Sequence, residues 1–446
     1  MTRPSAAGRE GKNNRMRSTL FHIPLEVAGM PLFGFGLLLA VWAVFSVVVL
    51  AVLIRRQGFN ADTQSYLPIL AMFGLVILFL PKIADPAGLP IRGFGLMLLL
   101  AVVSGVGLAM HRARQMKVDP ELILSLAFWL FSFGIIGARL FYVVQKWPTE
   151  FSGRYSGIEL LFALVNVTQG GLVVYGSVIG AALGLLIFCR RNRLSLLALS
   201  DLIAPSLALG LALGRVGCFL NGCCFGGICD LPWAVQFPWQ SPPHIRQVQQ
   251  GQLDLFGMVV DGSPGAAPVI KAVVPGSLAD AHGMKPGDRI THINGRPIAA
   301  VYDAQRELLE AASQPQLSIA IAGQAEPKQW IVPDPLPRSR PVHPAQLYST
   351  VDALVLCLLL WAYYPFRRRD GEVTALLITI YPITRFLIEA LRTDEPKNIF
   401  GMSISQNISL LLLALAAALW IYLWRQPAGT AFGQRIITSR PALAAR

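Results

Sequence analysis

Eight long apolar runs dominate this chain, near 30–54, 91–110, 121–144, 170–189, 195–213, 346–365, 372–391 and 404–424, with a weaker one near 66–83. A helix needs about 20 mostly apolar residues to cross a bilayer, and each strong run is long enough. Only 14% of the residues are charged, where an ordinary soluble domain carries roughly a quarter. A soluble enzyme, a disordered chain and a secreted disulfide scaffold are thereby excluded. The fold class is an all-α polytopic membrane protein: a seven-span core, one or two extra N-terminal spans and an inserted soluble part. The first run is too long for a signal-peptide core and lacks a small-residue cleavage site, so it reads as an anchor.

The net charge of +13 is distributed in short clusters: Arg55/Arg56, Arg112/Arg114/Lys117, Arg190/Arg191/Arg193 and Arg367/Arg368/Arg369. They fall in every second loop. This pattern fixes orientation, with basic loops in the cytoplasm, and does not indicate nucleic acid. Contact with anionic lipid is compatible with it. Segments 145–169, 214–345 and 392–403 then face outward. The N-terminal tail carries Arg3, Arg9, Lys12, Arg15 and Arg17 and by charge belongs inside. Nine spans, the preferred count, place it outside. Pro31–Leu37 also echoes Pro90–Leu96, which a duplication or a shared small-residue packing motif would both produce.

Residues 245–340 are polar. Strands are expected at 269–274, 289–294 and 316–322 and a helix at 301–312, with Asn294-Gly295 as a hairpin signal. Val274-Pro275-Gly276-Ser277-Leu278-Ala279, Gly283-Met284-Lys285-Pro286-Gly287-Asp288 and Ile293-Asn294-Gly295-Arg296-Pro297 together resemble a bacterial PDZ domain. Such domains add an extended peptide to a sheet edge. A peptide partner and a plain shielding spacer are the two readings. The domain boundaries expected are 1–85 (tail and extra spans), 86–244 and 341–428 (membrane core), 245–340 (insert) and 429–446 (tail).

Polar residues inside spans are functional candidates by default, and four clusters map to outward span ends. Arg139 lies in Gly137-Ala138-Arg139-Leu140-Phe141-Tyr142, where an arginine reaching to interfacial water is the plainer reading. Gln169-Gly170-Gly171-Leu172-Val173-Val174-Tyr175-Gly176-Ser177-Val178-Ile179-Gly180 suits close helix packing or backbone N–H groups facing an anion. Arg215 precedes the turn Gly217-Cys218-Phe219-Leu220-Asn221-Gly222-Cys223-Cys224-Phe225-Gly226. A guanidinium there suits a lipid phosphate. The cysteine spacing, completed by Cys229, is a poor match for zinc, so no metal is expected, and packing or a redox pair outside the membrane fits better. The last cluster is His343-Pro344-Ala345-Gln346-Leu347-Tyr348 with Arg385 and Glu389, which share a helix face at i,i+4. Ser405, Gln406 and Ser409 follow downstream.

These segments, in order from Ile91 to about Trp424, resemble the prolipoprotein diacylglyceryl transferase family of bacterial membranes. The resemblance implies a reaction in which the diacylglyceryl group of phosphatidylglycerol passes to the lipobox cysteine of a preprolipoprotein. It implies no cofactor, an inner-membrane location and an active face on the outer side. Phosphatidylglycerol, the preprolipoprotein signal peptide and a partner of the PDZ-like insert are the ligands expected. Carried onto this sequence, Arg215 is the phosphatidylglycerol-binding arginine. Arg385 is the second cation, with Glu389 as its orienting partner. Arg139 positions the headgroup or braces the fold. Asn221 and Gly226 shape the headgroup turn, and Tyr348 lines the same face. His343 is one candidate base, since histidine titrates near neutral pH. Tyr175 stands where some members carry histidine, and tyrosine is a poor base at rest. Ser349, Phe94, Cys218 and Cys223 also depart from common family residues. The alternatives are a catalytically silent relative, against which the arginines argue, and a membrane protease, for which HExxH and GxSxG are missing. A transporter would place its polar groups near the midplane.

Overall fold

The computed structural model describes residues 19–58, 70–84, 88–166, 171–333, 336–393 and 401–432, apart from 28, 72, 153, 156, 312 and 313. Among them, eight helices are long and apolar enough to cross a membrane. These are α1 Leu37–Gln57, α2 Gly93–Gln115, α3 Pro120–Lys146, α4 Val174–Arg191, α5 Leu196–Asn221, α6 Ala345–Tyr363, α7 Glu372–Ala390 and α8 Ile404–Arg425. The ninth apolar run gives a shorter helix, Phe73–Lys82, below the roughly 20 residues a span needs. Its first residues, and the basic tail, fall outside the described set.

Two compact units emerge: Met1–Met97 with Leu220–Cys223 and Gln236–Arg340, and Leu98–Phe219 with Cys224–Val235 and Pro341–Arg446. In the first, the strands β1 Thr19–Ile23 and β4 Leu89–Arg92 pair antiparallel, as do β2 Glu26–Val27 and β3 Met30–Pro31. The two echoing segments thus both begin in a strand residue and end in a helix, but the first passes through bends at 32–36 where the second enters the helix directly at Gly93.

The insert, in the same unit, is a small α+β body. Strands β5 Met258–Val260 and β6 Ile270–Val273 form one pair. Strands β7 Ile290–Ile293, β8 Arg296–Pro297, β9 Gln316–Ile321 and β10 Lys328–Ile331 form an antiparallel sheet in the order β10-β9-β7-β8. The helix Val301–Ala311 buries Val301, Ala304, Leu308 and Ala311, a three-to-four spacing that presents one apolar face to the core. The outer edge of β5 is closed by the chain itself. Leu255 exchanges both backbone hydrogen bonds with Met258 (2.8 and 3.0 Å), and Gln305 Nε2 donates to the Val260 carbonyl (2.7 Å). Trp239 and Gln240 both donate to the Leu309 carbonyl, which holds the segment before the short helix Pro242–Gln249 against the longer one.

That segment carries a pH-sensitive group. His244 is fully buried beside Trp239, ring centroids 4.5 Å apart, and neither ring nitrogen has a partner among the described residues. Burial pushes its imidazole down to about 4. An unfolded histidine titrates near 6.5, so in the window between the two values the unfolded chain holds the extra proton. Stability therefore falls as pH drops through this window and is flat above it. The expected loss from this group by the bottom of the window is about 3 kcal/mol. His244→Leu removes that component, read as the difference between the two proteins' insert-unfolding profiles across the window.

In the second unit, α5 is the central helix, with 56% of its span buried. The glycines of the α4 motif form a packing seam against α3. A Cβ on Gly137 would meet the Gly180 Cα at 2.9 Å and the Gly176 carbonyl oxygen closer still. One on Gly184 would meet Phe133 Cβ at 2.9 Å. Backbone approach of this kind is how helices associate where no water drives them together. Helices α5 and α7 carry internal prolines, Pro205 and Pro382.

A polar hub, unforeseen from sequence, joins α2, α5, α6 and α7. Asp201 is fully buried and accepts from Gly371 N (2.7 Å), Thr374 N (2.8 Å) and Thr374 Oγ1 (2.8 Å). It thereby satisfies N–H groups that the start of α7 would leave orphaned. Arg367 Nε lies 3.8 Å from Asp201. The guanidiniums of Arg112 and Arg367 lie over the Tyr364 ring, at 4.2 and 3.6 Å from its centroid. Asp370, in the connection just before α7, is pushed up by burial.

Candidate active site

Four of the predicted residues, Arg215, Arg385, Glu389 and Tyr175, come together where the C-terminal ends of α5 and α7 meet the N-terminal ends of α4 and α8. Arg385 and Glu389 lie one turn apart on α7, so their side chains share a face. Arg385 Nη2 pairs with Glu389 Oε2 at 2.7 Å. Arg392 Nη1 reaches the same oxygen at 3.0 Å, and Ser403 Oγ donates to Glu389 Oε1 at 3.2 Å. The Glu389 side chain is only 1% exposed, so its charge is tolerable only because it is paired. With both oxygens engaged by donors, it orients cations and is badly placed to take a proton.

Ser403 also closes α8. Its hydroxyl accepts from Gln406 N while the Gln406 side chain accepts from Ser403 N, a reciprocal capping box. This fixes the first turn of α8 and so places Ser405. Ser405 Oγ accepts from Arg385 Nη2 at 3.1 Å and lies 3.4 Å from Tyr175 Oη. Tyr175 thus belongs to the site as a hydroxyl one serine away from Arg385.

Arg215, in the last turns of α5, hydrogen-bonds Tyr381 and feels the sulfurs of Cys218 and Cys224. Tyr381 precedes Arg385 by four residues on α7. Sequence reasoning passed over it, although its i,i+4 spacing to a charged span residue was a usable signal. Arg215 and Arg385 are close enough to repel each other. Arg385 Nη1 is buried with no hydrogen-bond partner among the described residues. Among the described residues, three cations, Arg215, Arg385 and Arg392, therefore share this site with one carboxylate, Glu389. Such an excess of positive charge, with a guanidinium nitrogen open, suits a phosphate.

His343 and Tyr348 form a neighbouring group at the start of α6. Their side chains approach at 3.3 Å (Nδ1 to Oη), and Trp233 Nε1 donates to Tyr348 Oη at 2.8 Å. Gly226 explains its own identity: its N–H donates to the His343 carbonyl at 2.9 Å, and a Cβ there would meet His343 Cβ at 2.6 Å. The next residue, Gly227, donates to the Leu391 carbonyl at 2.8 Å. The strand-like turn after Arg215 is thus stitched between the α6 and α7 segments. Asn221 is the last residue of α5.

Arg139 is placed differently. Its guanidinium donates to the carbonyls of Leu164 (2.8 Å), Ala163 (2.6 Å) and Gly171 (3.2 Å) and lies over the Tyr142 ring. Its donors hold the connection between α3 and α4 in place, which favours bracing over headgroup contact. It lines a cavity of about 1020 Å³ with Tyr142, Glu150, Arg154 and Glu159 among others.

A profile of the family described as prolipoprotein diacylglyceryl transferase matches residues 81–422. A protein of Rhodopirellula baltica named phosphatidylglycerol–prolipoprotein diacylglyceryl transferase is 34% identical over 454 aligned positions, covering 92% of this chain and 90% of that protein. Proteins of the same name from Thermosynechococcus vestitus and Synechococcus elongatus are 38% and 36% identical. They align over 35% and 36% of this chain and over 56% and 54% of their own lengths. With the family profile matching residues 81–422 and the Rhodopirellula protein aligning over 92% of this chain, this chain belongs to the prolipoprotein diacylglyceryl transferase family.

Proposed function

We propose that this chain transfers the diacylglyceryl group of phosphatidylglycerol to the lipobox cysteine of preprolipoproteins, with Arg215 and Arg385 as the phosphate-binding cations. The observation that carries the assignment of roles is the pair of mutually repelling guanidiniums, one of them with an open, buried nitrogen. The peptide sulfur attacks the glyceryl carbon that bears the phosphate ester. A C–S bond forms, the C–O bond breaks, and its electron pair leaves on the phosphate oxygen of glycerol phosphate. Fixed cations stabilise that developing charge. The thiol must lose its proton to attack, and His343 is the group assigned to receive it. Glu389 and Ser405 set the Arg385 guanidinium, Tyr175 supports Ser405, and Tyr348 orients His343. Gly226 and Asn221 shape the turn beside the headgroup.

The charge pattern of the loops supports a multi-pass protein of the bacterial inner membrane with this end of the helices, and the insert, on the outer side. The insert is read as a PDZ-like domain whose role is to bring a preprolipoprotein or another envelope protein to the site. Because the outer edge of β5 is satisfied internally, an added peptide strand would meet β10, the terminal strand of its sheet, where Ile331 is 74% exposed. Removing 250–335 and closing the loop is expected to slow turnover of protein substrates while sparing short lipobox peptides. Equal rates on every preprolipoprotein would dismiss the recruiting role.

The reaction itself is tested with the full chain in vesicles containing phosphatidylglycerol and a lipobox peptide. Mass spectrometry should find the peptide carrying one diacylglyceryl thioether, and vesicles of phosphatidylethanolamine alone should give none. Absence of the thioether from folded protein supplied with phosphatidylglycerol would overturn the assignment.

A further inference from the structure

The cysteines in the turn after Arg215 have no task in the transfer reaction, yet they sit at its centre. The sulfurs of Cys218 and Cys224 lie within 4.8 Å of each other, and both residues are half-buried. Both interact electrostatically with Arg215. Partly accessible thiols beside a cation are the setting in which cysteines react. Cys224 also holds a left-handed backbone (φ 62), a conformation that costs a non-glycine residue energy and persists where the surrounding structure enforces it.

We propose that Cys218 and Cys224 form a reversible disulfide that switches transfer off; the inference rests on reading Arg215 as a phosphate-binding cation. Both S–H bonds break and one S–S bond forms. Two electrons and two protons pass to an oxidising disulfide, such as that of an exported thiol–disulfide oxidoreductase, which leaves as two thiols. A thiol reductant reverses the step by exchange. The sulfurs must close to about 2 Å, which draws Cys224 towards the end of α5. The following residues cannot follow without cost. Gly226 is hydrogen-bonded to the His343 carbonyl at a position where even an added Cβ would collide with His343, and Gly227 is hydrogen-bonded to the Leu391 carbonyl. Closure therefore shifts the surroundings of Arg215 and pulls on the segments that carry His343 and Glu389 together.

The test uses the full chain in phosphatidylglycerol vesicles, treated with oxidised glutathione or with dithiothreitol. Peptide mapping by mass spectrometry should find residues 218 and 224 linked after oxidation. The thioether-forming rate should fall at least about tenfold, a difference of about 1.4 kcal/mol in barrier, and return with reductant. Cys224→Ser should keep its rate under both treatments. A linked pair with an unchanged rate, or a link to Cys223 or Cys229 instead, would overturn the proposal. So would the failure of any 218–224 link to form, including where a bound metal protects the thiols. Lack of product from the reduced protein would count against the transferase reading, while the mapping would still report on the disulfide.

Discussion

Arg215→Ala is expected to lower thioether formation by about a hundred- to a thousand-fold, the range seen when one fixed donor to a developing oxyanion is removed. The effect should fall mainly on kcat, because the charge that Arg215 meets grows as the C–O bond breaks. Arg215→Lys should recover only part of the loss. An ammonium supplies charge but not the two parallel N–H groups of a guanidinium, and it would bond Tyr381 in a different direction. The measurement is the initial rate over a series of phosphatidylglycerol fractions in the vesicle, with circular dichroism to establish that the variant is folded. A rate within a factor of about two of wild type would move the phosphate to Arg385 and Arg392 and leave Arg215 as a structural partner of Tyr381. The corresponding change at Glu389 should act through its partners: Glu389→Gln leaves Arg385 and Arg392 facing each other with the neutralising charge gone.

The largest stability effect is expected away from this site. Asp201→Ala removes the acceptor of three hydrogen bonds and the carboxylate that faces Arg367. Breaking one side of a buried charged network typically costs about 3–5 kcal/mol, because the remaining charge stays buried without its partner. The start of α7 also loses the group that satisfies its first N–H donors. Asp201→Asn keeps the shape and one acceptor oxygen and should cost roughly half as much. Unfolding in detergent micelles reads the difference. The folded fraction of either variant should keep the wild-type KM for lipid, since Asp201 lies in the N-terminal half of α5 and Arg215 near its other end. A large KM change with unaltered stability would overturn this structural role.

Sequence made the spans legible because hydropathy over some 20 residues is a strong, local signal. It also made the Arg385–Glu389 pair legible, since i,i+4 spacing alone puts two side chains on one face. The glycine motif was legible as a pair of readings, and backbone approach between α3 and α4 selects packing. What stayed hidden depended on contacts distant in the chain. Tyr381 gains its meaning from Arg215, 166 positions earlier in the sequence. The Asp201 hub needs a loop that begins after α6. Arg139 was open between positioning the headgroup and bracing the fold because a lone arginine at a span end says nothing about carbonyls in the next connection. The closed edge of β5 was invisible for the same reason: Gln305 reads as one more polar residue on a helix until its amide is found on Val260.

Pro382 offers a last consequence. It has no N–H to give to the carbonyl of Ile378, and its ring crowds that turn. The stretch of α7 beyond it carries Arg385 and Glu389, and Arg392 follows directly. That stretch can pivot on the proline as one lever without breaking the ion pairs of Arg385 and Arg392 with Glu389, because these cations and the carboxylate travel together. Tyr381 and its bond to Arg215 lie on the other side of the fulcrum. A swing there would widen or narrow the gap between the two guanidiniums, giving a bulky two-tailed lipid a way in and its glycerol phosphate remnant a way out.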